Sequence, residues 1–334
     1  MSDGPTVQHL ATMADVWDAY RDDLVEVEHQ IHQSIHSDAP LINVVAGQIF
    51  SSGGKRIRPL LVILCTRLCG AIPKDAIALG SLIEFIHTAT LLHDDVLDEA
   101  DLRRGQKTAR CVWGNQASIL VGDYLYSQAM AQIAAYRNHN INEVLAHACR
   151  RMTEGEVLQL CVNDQSRTTE VEYLQIVEFK TATLVAAACR VGAIIAGASL
   201  SEQEALYRFG LNLGMAFQLA DDRLDYMADR SRLGKPLGQD LRQGMMTLPL
   251  LHLLQYCTDR ERRWVSQLIR SRSIQNQDLA DIIALMHHYG SLSYAFARAR
   301  EYVEAAHLDL EPFPDGLAKR ALAIVANYMI HRDQ

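Results

Sequence analysis

The sequence FIHTATLLHDDVLD occupies residues 85–98, and its pattern decides the fold of the region around it. Apolar residues recur at three- and four-residue spacing and lead directly into three aspartates. Positions four apart share one face of an α-helix, so Asp94 and Asp98 can point at one spot, while Asp95 is turned about 100° away. The stretch predicts an apolar helix whose end carries clustered carboxylates.

A second aspartate cluster lies in AFQLADDRLDY, residues 216–226. Here Asp221 and Asp225 share a helical face, and Gln218 lies one turn before them. Carboxylates clustered among apolar residues repel one another and lose hydration, so they need a cation. Hard oxygen ligands, completed by water and phosphate, suit Mg²⁺. Each motif alone could be a solvated helix end, but two motifs that both end long apolar helices favour a shared magnesium site.

Helical periodicity extends through nearly the whole chain, as in Val16, Tyr20, Leu24 and Val27. Alternating, strand-like runs are almost absent, so the predicted fold class is all-α. No linker divides the chain, and we predict one domain over residues 1–334 with residues 1–12 as a flexible N-terminus. Helices are expected near 13–36, 40–51, 59–69, 74–98, 115–136, 141–163, 169–197, 201–228, 247–256, 260–271, 276–288, 291–307 and 315–331.

The composition limits the class of protein. A net charge of −8 gives no general positive field, which argues against nucleic-acid binding. The seven cysteines form no CxxC pair, which indicates reduced core residues rather than metal ligands or disulfides. Apolar runs such as 184–198 are too short or too interrupted to span a bilayer. Residues 1–12 resemble neither a signal nor a transit peptide, so we expect a cytoplasmic protein.

Several basic residues stand beside glycines or carboxylates. Each of them alone is most often a surface charge, but together they favour clamps for a diphosphate, which needs positive charge when it leaves. They are Lys55, Arg58, Arg103, Arg104, Lys180 and Lys235. His87, nearly two turns before Asp94, is either a satisfied core histidine or a donor to phosphate. We interpret Arg56, Lys107 and Arg110 as solvated.

Taken together, these motifs resemble the trans-isoprenyl diphosphate synthase family, and in particular its bacterial octaprenyl branch. The resemblance covers nearly the whole chain, from about residue 20 to the end. Its specific phrases are GGKRIRP (53–59), LIEFIHTATLLHDDVLDEADLRRG (82–105), LVGDYLY (120–126), EGEVLQL (154–160), FKTATL (179–184), AFQLADDRLDY (216–226) and TLPLLH (247–252).

The resemblance implies an isoprenoid synthase helical bundle with a central apolar tunnel, usually a homodimer, that joins isopentenyl diphosphate to an allylic diphosphate primer. It implies three Mg²⁺ ions held by Asp94, Asp98, Asp221 and Asp225. Isopentenyl diphosphate would be bound by Lys55, Arg58, His87 and Arg104, and the allylic diphosphate by Arg103, Lys180 and Lys235. The catalytic set would be Lys180, Thr181, Gln218 and Arg103, with Thr181 assisting proton removal by the departing pyrophosphate.

Product length is expected to depend on the residues that line the tunnel. Ala89 and Thr90, about one turn before Asp94, are small, whereas a bulky aromatic there would block the tunnel and stop growth at farnesyl length. The floor is expected deeper, near Met130 and Ile133. A long product implies a quinone side chain as its destination and peripheral membrane contact during release.

Two residues depart from the family pattern. Met245 lies in GMMT (244–247), where the family commonly has a lysine, so one phosphate contact is missing. Arg223 replaces an apolar residue and, on helical geometry, points away from Asp221 and Asp225. Two rival functions are a non-catalytic subunit of a heteromeric synthase, which would be expected to lose motif aspartates, and a terpene cyclase, which would not need a second set of diphosphate-binding residues.

Overall fold

The computed structural model describes residues 10–71, 74–103, 105–162, 168–227 and 237–331. The first half contains α1 (Met13–Ala19), α2 (Arg21–Ser34), α3 (Pro40–Ser51), α4 (Ile57–Leu68), α5 (Lys74–Leu97), a hairpin of β1 (Leu102–Arg103) and β2 (Gln106–Lys107), α6 (Ala109–Ala135) and α7 (His139–Val162). The second half contains α8 (Glu170–Val177), a π-helical turn (Glu178–Ala182), α9 (Thr183–Ile195), α10 (Leu200–Leu224), α11 (Gln239–Arg242), α12 (Leu248–Tyr256), α13 (Asp259–Ser271), α14 (Asn276–His288), α15 (Ser291–Asp309) and α16 (Leu317–Ile330). The predicted all-α class is confirmed.

Helix starts follow local sequence signals. Thr169, Ser199 and Thr258 each accept a hydrogen bond from the backbone N–H three residues on, and the glutamate at that position bonds back. This reciprocal arrangement satisfies two donors that a helix start otherwise leaves unpaired. Thr12 caps α1 in the same way with Asp15, and Leu10 is buried. Residues 10–12 are therefore anchored, while residues 1–9 of the expected flexible segment lie outside the described part of the chain.

The centre of the bundle is formed by α4, α9 and α10, and residues 182–189 are buried without interruption. Close packing of α9 and the π-helical turn on α10 depends on two glycines. A Cβ on Gly210 would lie 2.7 Å from the Ala186 Cα, and one on Gly214 would lie 2.4 Å from the Ala182 Cα. Because real Cβ atoms do not approach so closely, these positions hold the two helix backbones in direct contact. The contact fixes where α10 delivers its aspartates.

One helix among the described residues, α5, is long and apolar enough to cross a bilayer, although we expected the apolar runs to be too short. Two thirds of its most apolar window, 67%, is buried inside the protein. It packs against α4 and α6. Its apolar character is therefore that of a core helix.

Several element boundaries differ from the expectation. The helix expected over 13–36 is divided at Tyr20, and the one expected from residue 115 begins at Ala109 with a kink at Gly114 (φ 83°, ψ 165°). The β1–β2 hairpin, α11 and the π-helical turn were not expected. Among the cysteines, Cys111 and Cys161 are exposed, which corrects their assignment to the core. Cys65, Cys149, Cys189 and Cys257 are buried, and none of the seven forms a disulfide.

Candidate active site

The first aspartate motif lies at the carboxyl end of α5. Asp94 is half-buried and Asp98 is exposed. Asp95 faces the other way, with 4% of its surface exposed, and its Oδ1 accepts a hydrogen bond of 2.8 Å from Nε of Arg103 on β1. The expected division of the motif into two faces is therefore confirmed. Arg103 therefore forms an ion pair with Asp95, and this contact fixes the position of the arginine beside the site.

The second motif, at the end of α10, has a firmly held buried member. Asp222 is 5% exposed, and its Oδ2 accepts a 2.6 Å hydrogen bond from the Tyr173 hydroxyl. Its Oδ1 accepts a 2.7 Å bond from Nε2 of Gln218. Asp221, one residue earlier, is exposed. The buried aspartate therefore anchors the end of α10, while Asp221 lies at the surface.

Asp225 lies where α10 has ended and is half-buried. Its two oxygens accept the backbone N–H groups of Gln239 and Asp240, at 3.1 and 3.0 Å, at the start of α11. A carboxylate oxygen has more than one lone pair, so these bonds leave capacity for a further ligand. Asp225 thus has a structural task in addition to the metal role expected of it.

The π-helical turn carries Lys180 and Thr181 between the two motifs. Lys180 Nζ lies 2.9 Å from Glu156 Oε1 and donates to Gln159 Oε1 at 3.0 Å. Thr181 Oγ1 donates to Gln218 Oε1 at 3.0 Å, which connects it through Gln218 to Asp222. Single π-helical turns inside α-helices occur frequently at functional sites. Here the turn orients one side chain toward each motif.

The electrostatics of the site also connect Lys180 with the first motif. Burial raises the pKa of Asp94 to about 7, with the negative charges of Glu156 and Asp98 acting in the same direction and Lys180 acting against them. Burial by itself lowers the pKa of Lys180, but Asp94 and Glu156 outweigh it, so its pKa is raised above the usual value. Lys180 is therefore a cation close to the carboxylates of α5.

A further contact joins the two ends of the site. Gln243, in the segment after α11, donates from Nε2 to the main-chain oxygen of Asp98 at 3.4 Å. The first motif and the segment after the second motif therefore meet. Together with Lys180 and Thr181, this contact puts both carboxylate clusters around one region.

The carboxylates fit a divalent cation that a substrate helps to hold. Asp222, like Asp94, has its pKa raised by burial to about 7, even though Tyr173 and Gln218 donate to it. Within the described residues no three acidic, histidine or cysteine side chains converge as a preformed metal cage. Mg²⁺ usually takes one or two carboxylates and completes its shell with water and substrate phosphate. Asp94, Asp98, Asp221 and Asp225 are the residues that could supply an open donor set of this kind.

A cleft of about 80 Å³ opens between the end of α3, the residues that follow it, α5 and the hairpin. It brings together two expected diphosphate-binding residues, His87 and Arg103, with Gly53 of the glycine pair. Lys55 is exposed and donates instead to the hydroxyl of Tyr328 on α16, while Arg58 is half-buried on the first turn of α4. Two other expected residues, Arg104 and Lys235, lie outside the described residues.

Arg56 and Arg110, which we interpreted as solvated, are instead partly or fully buried and paired with acidic residues. Arg56 is 7% exposed, and its guanidinium group pairs with Glu28 at 2.6 Å and with Glu84 at 3.0 Å. Arg110 is half-buried and donates to Asp101 at 2.9 Å. Lys107 is exposed, as expected. Sequence alone cannot distinguish a buried arginine from a solvated one when its acidic partners are distant along the chain.

The residues expected to control product length lie on α5 and α6. Ala89 and Ile133 are fully buried, and Met130 is partly buried against the core. Thr90 is half-buried and donates to the main-chain oxygen of His87 at 2.8 Å. All four positions are thus internal or semi-internal. The tunnel itself stays a prediction.

Sequence reasoning missed several residues that organise the site. Glu156 and Gln159, three apart on α7, hold Lys180, and Tyr173 holds Asp222. The spacing of Glu156 and Gln159 in EGEVLQL was a usable signal, because residues three apart share a helical face. Tyr173 gave no such signal, since its partner is 49 residues away. Arg223 lies 4.6 Å from the centre of the Phe296 ring, which agrees with its expected direction away from the carboxylates.

Comparison with known proteins adds a family context. Residues 39–286 match the family model described as polyprenyl synthetase. The chain is 40% identical over 315 residues to "Octaprenyl diphosphate synthase" of Escherichia coli, covering 93% of this chain and 96% of that one. It is 34% identical to "Short chain isoprenyl diphosphate synthase" of Methanothermobacter thermautotrophicus, covering 96% of this chain and 100% of that one.

A solved structure shares the whole architecture. It is a polyprenyl synthase from Caulobacter crescentus, complexed with calcium and isoprenyl diphosphate, with a TM-score of 0.93 and 37% identity. The similarity covers 99% of this chain and 100% of that one. The likeness therefore extends from the helical framework to both aspartate-bearing helices.

Proposed function

The chain belongs to the polyprenyl synthetase family and is a prenyltransferase, and on this premise we propose that it is a long-chain trans-polyprenyl diphosphate synthase. It would extend an allylic diphosphate, such as farnesyl diphosphate, with isopentenyl diphosphate units. The observation that carries the proposal is the position of Lys180 and Thr181, which contact the surroundings of both aspartate motifs. A diphosphate bound beside Lys180 would lie within reach of carboxylates from both helices.

Asp94, Asp98, Asp221 and Asp225 would hold Mg²⁺, with three ions as the expected number. When bound, Mg²⁺ neutralises the charge that develops on a departing diphosphate. The open donor set supports this role, and so does the calcium in the related polyprenyl synthase. The carboxylates of this chain would orient the diphosphate so that its allylic C–O bond faces the interior.

Two sets of cationic side chains would bind two diphosphates. Arg103, Lys180 and Lys235 would bind the allylic substrate near the carboxylates, and Lys55, Arg58, His87 and Arg104 would bind isopentenyl diphosphate. The cleft that contains His87 and Arg103 supports diphosphate binding beside the first motif, because Arg103 lines the cleft and also donates to Asp95. Preorganised cations of this kind stabilise negative charge without further reorganisation.

The reaction then needs one carbon–carbon bond and the loss of one proton. The allylic C–O bond breaks, the double bond of isopentenyl diphosphate attacks the allylic cation, and the departing pyrophosphate accepts the proton. Thr181 donates its own proton to Gln218, so the lone pairs of its hydroxyl remain available to guide the proton being lost. Gln218, fixed by Asp222, would keep Thr181 in this orientation.

We infer an octaprenyl product because small Ala89 and Thr90 would leave the expected tunnel open below the first motif and because an octaprenyl synthase is similar over nearly the full chain. Such a product would supply a ubiquinone or menaquinone side chain. The enzyme would work as a cytoplasmic homodimer, with peripheral membrane contact when it releases the product. Nucleic acid is not an expected partner of a chain with a net charge of −8.

The test is to incubate the purified chain with Mg²⁺, farnesyl diphosphate and labelled isopentenyl diphosphate, and to separate the dephosphorylated products by chain length. Elongated products, with eight isoprene units as the main species, are expected, and a chelator should abolish them. A released hydrocarbon would instead indicate a cyclase. Turnover that requires an added second protein would indicate a subunit of a heteromeric synthase.

A further inference from the structure

We propose that Arg56 is a positioning residue that fixes the isopentenyl diphosphate-binding loop, residues 53–58, without binding the substrate itself. The inference rests on the proposed function. It starts from the contacts of one buried guanidinium group. Nε donates to Glu28 Oε1 at 2.6 Å, Nη1 to Glu84 Oε1 at 3.0 Å, and Nη2 both to Glu28 Oε2 at 3.2 Å and to the Phe50 main-chain oxygen at 3.0 Å.

These contacts use most of the hydrogen-bond donors of the Arg56 side chain. An arginine side chain has five N–H donors, and four of them are occupied here. The group also carries one positive charge between the two carboxylates of Glu28 and Glu84, so the triad as a whole is negative. A phosphate would be repelled by this triad rather than attracted. Arg56 differs in this respect from Lys55 and Arg58 on either side of it.

The backbone at Arg56 shows why the side chain is needed. Arg56 is in the left-handed region, with φ 46° and ψ 39°, and immediately precedes α4. Non-glycine residues adopt this conformation infrequently, because it costs steric strain. This backbone conformation lies between exposed Lys55 and half-buried Arg58, so it affects the direction of both side chains. The buried ion pairs hold the backbone in this conformation.

The partners of Arg56 connect the loop to the rest of the cleft. Glu84 lies on α5, three residues before His87, so it is on the adjacent part of the same helical face. Phe50 belongs to α3 and Glu28 to α2. Arg56 therefore fixes the loop relative to the helix that carries His87 and, further on, Asp94. Loss of this connection would separate the two halves of the isopentenyl diphosphate site while leaving α10 and the π-helical turn unaffected.

The experiment compares Arg56→Lys with Arg67→Lys in the full-length enzyme. Arg67 is a matched control, because it lies near the end of α4, the helix that Arg56 precedes, and pairs at 2.6 Å with Asp23 of α2, the helix that also carries Glu28. Lysine keeps the charge but cannot form the forked contacts of a guanidinium group. The measurements are kcat, the KM of each substrate, the melting temperature, and calorimetric binding of isopentenyl diphosphate.

We expect Arg56→Lys to raise the KM and the dissociation constant of isopentenyl diphosphate by about tenfold, the size of one lost charge-assisted hydrogen bond. The KM of the allylic substrate and kcat should change by less than about threefold, and Arg67→Lys should leave all four quantities near their wild-type values. Glu84→Gln keeps the shape of the side chain but removes its charge, and it should reproduce the selective increase in the KM of isopentenyl diphosphate. This variant replaces Arg56→Lys in the test if Arg56→Lys does not fold.

Equal increases in both KM values, or a lower melting temperature with unchanged isopentenyl diphosphate binding, would overturn the positioning role. Failure of the wild-type enzyme to elongate any primer would instead contradict the proposed function. The calorimetric comparison still tests the loop in that case, because it measures binding without turnover.

Discussion

The ionisation of the Asp94 carboxyl group is expected to depend on whether a divalent cation is bound beside it. Its pKa is about 7 in the folded protein, against an ordinary value of 3.8, because burial disfavours the charge. The folded state therefore retains a proton that the unfolded chain releases, and this contribution to stability falls as the pH rises from about 4 to about 7. A divalent cation favours the ionised form and offsets this loss.

We therefore expect Mg²⁺ to raise the melting temperature more at pH 8 than at pH 6, where a proton must first be displaced from the carboxyl group. Scanning calorimetry with millimolar Mg²⁺ or a chelator measures the difference. Asp94→Asn, which cannot titrate, is the control and should show a smaller pH dependence of the Mg²⁺ effect. Equal Mg²⁺ effects at the two pH values in the wild type would contradict the role of Asp94 as a ligand.

Ala89 is the residue at which product length can be tested. It is 1% exposed on α5, about one turn before Asp94. Ala89→Tyr should shorten the main product to farnesyl or geranylgeranyl length, because the ring would occupy the path of the growing chain. Chromatography of the dephosphorylated products checks this. Thr90→Phe, at a half-buried position, is a second variant in case overpacking at residue 89 prevents folding, and unchanged products from both would show that the tunnel does not pass this turn.

At the scale of the element, the π-helical turn decides where Lys180 and Thr181 point. It is held from two sides by glycines: a Cβ on Gly155 would lie 2.8 Å from the Lys180 backbone nitrogen, and one on Gly214 would lie 2.4 Å from the Ala182 Cα. Both approaches are closer than real Cβ atoms make. The position of the turn therefore depends on glycine at residue 155 of α7 and at residue 214 of α10.

Gly214→Ala should displace this turn, destabilise the fold by about 1–3 kcal/mol through overpacking, and lower kcat more than either KM. Gly47→Ala is the matched control, since Gly47 is in a helix and its added methyl group would have nothing within 4 Å. That variant should be stabilised by about 0.4–1 kcal/mol with unchanged kinetics. Thermal unfolding and steady-state kinetics of both variants measure these effects. An unchanged kcat in Gly214→Ala would contradict the proposed role of the turn.

The helices that were easiest to predict are those with a clear apolar period. Both helices that carry aspartate motifs, α5 and α10, were expected within a few residues of their observed ends. The β1–β2 hairpin is two residues per strand and has no period to detect. The π-helical turn leaves the apolar pattern of the surrounding helices almost unchanged, and the buried triad of Arg56 joins residues 28 positions apart. Such features follow from tertiary contacts, which local patterns do not encode.

At the scale of the whole molecule, α6 exposes several large apolar side chains to solvent. Ile119, Leu120 and Tyr126 are all exposed, Leu120 by 65%, and exposed Asp123 lies among them. Exposed apolar side chains that lie close together can mark interaction sites. We therefore expect two copies of the chain to associate through this part of α6.

Leu120→Glu should convert the expected dimer into a monomer, because the introduced charge would be buried in the expected interface. Leu200→Glu is the control, since Leu200 is 76% exposed at the start of α10 and away from α6. Sedimentation velocity of the two variants and the wild type gives the result. A dimer that survives Leu120→Glu would exclude this face as the interface.

The fold brings the ends of α5 and α10 to the two sides of one π-helical turn. The proposed function requires both ends to bind the same metal–diphosphate cluster. Anomalous diffraction from crystals grown with Mn²⁺ and inorganic pyrophosphate tests this most directly. We expect manganese ions bridged by pyrophosphate, with Asp94 and Asp98 as ligands on one side and Asp221 on the other. Manganese at one motif alone, or at neither, would contradict the account.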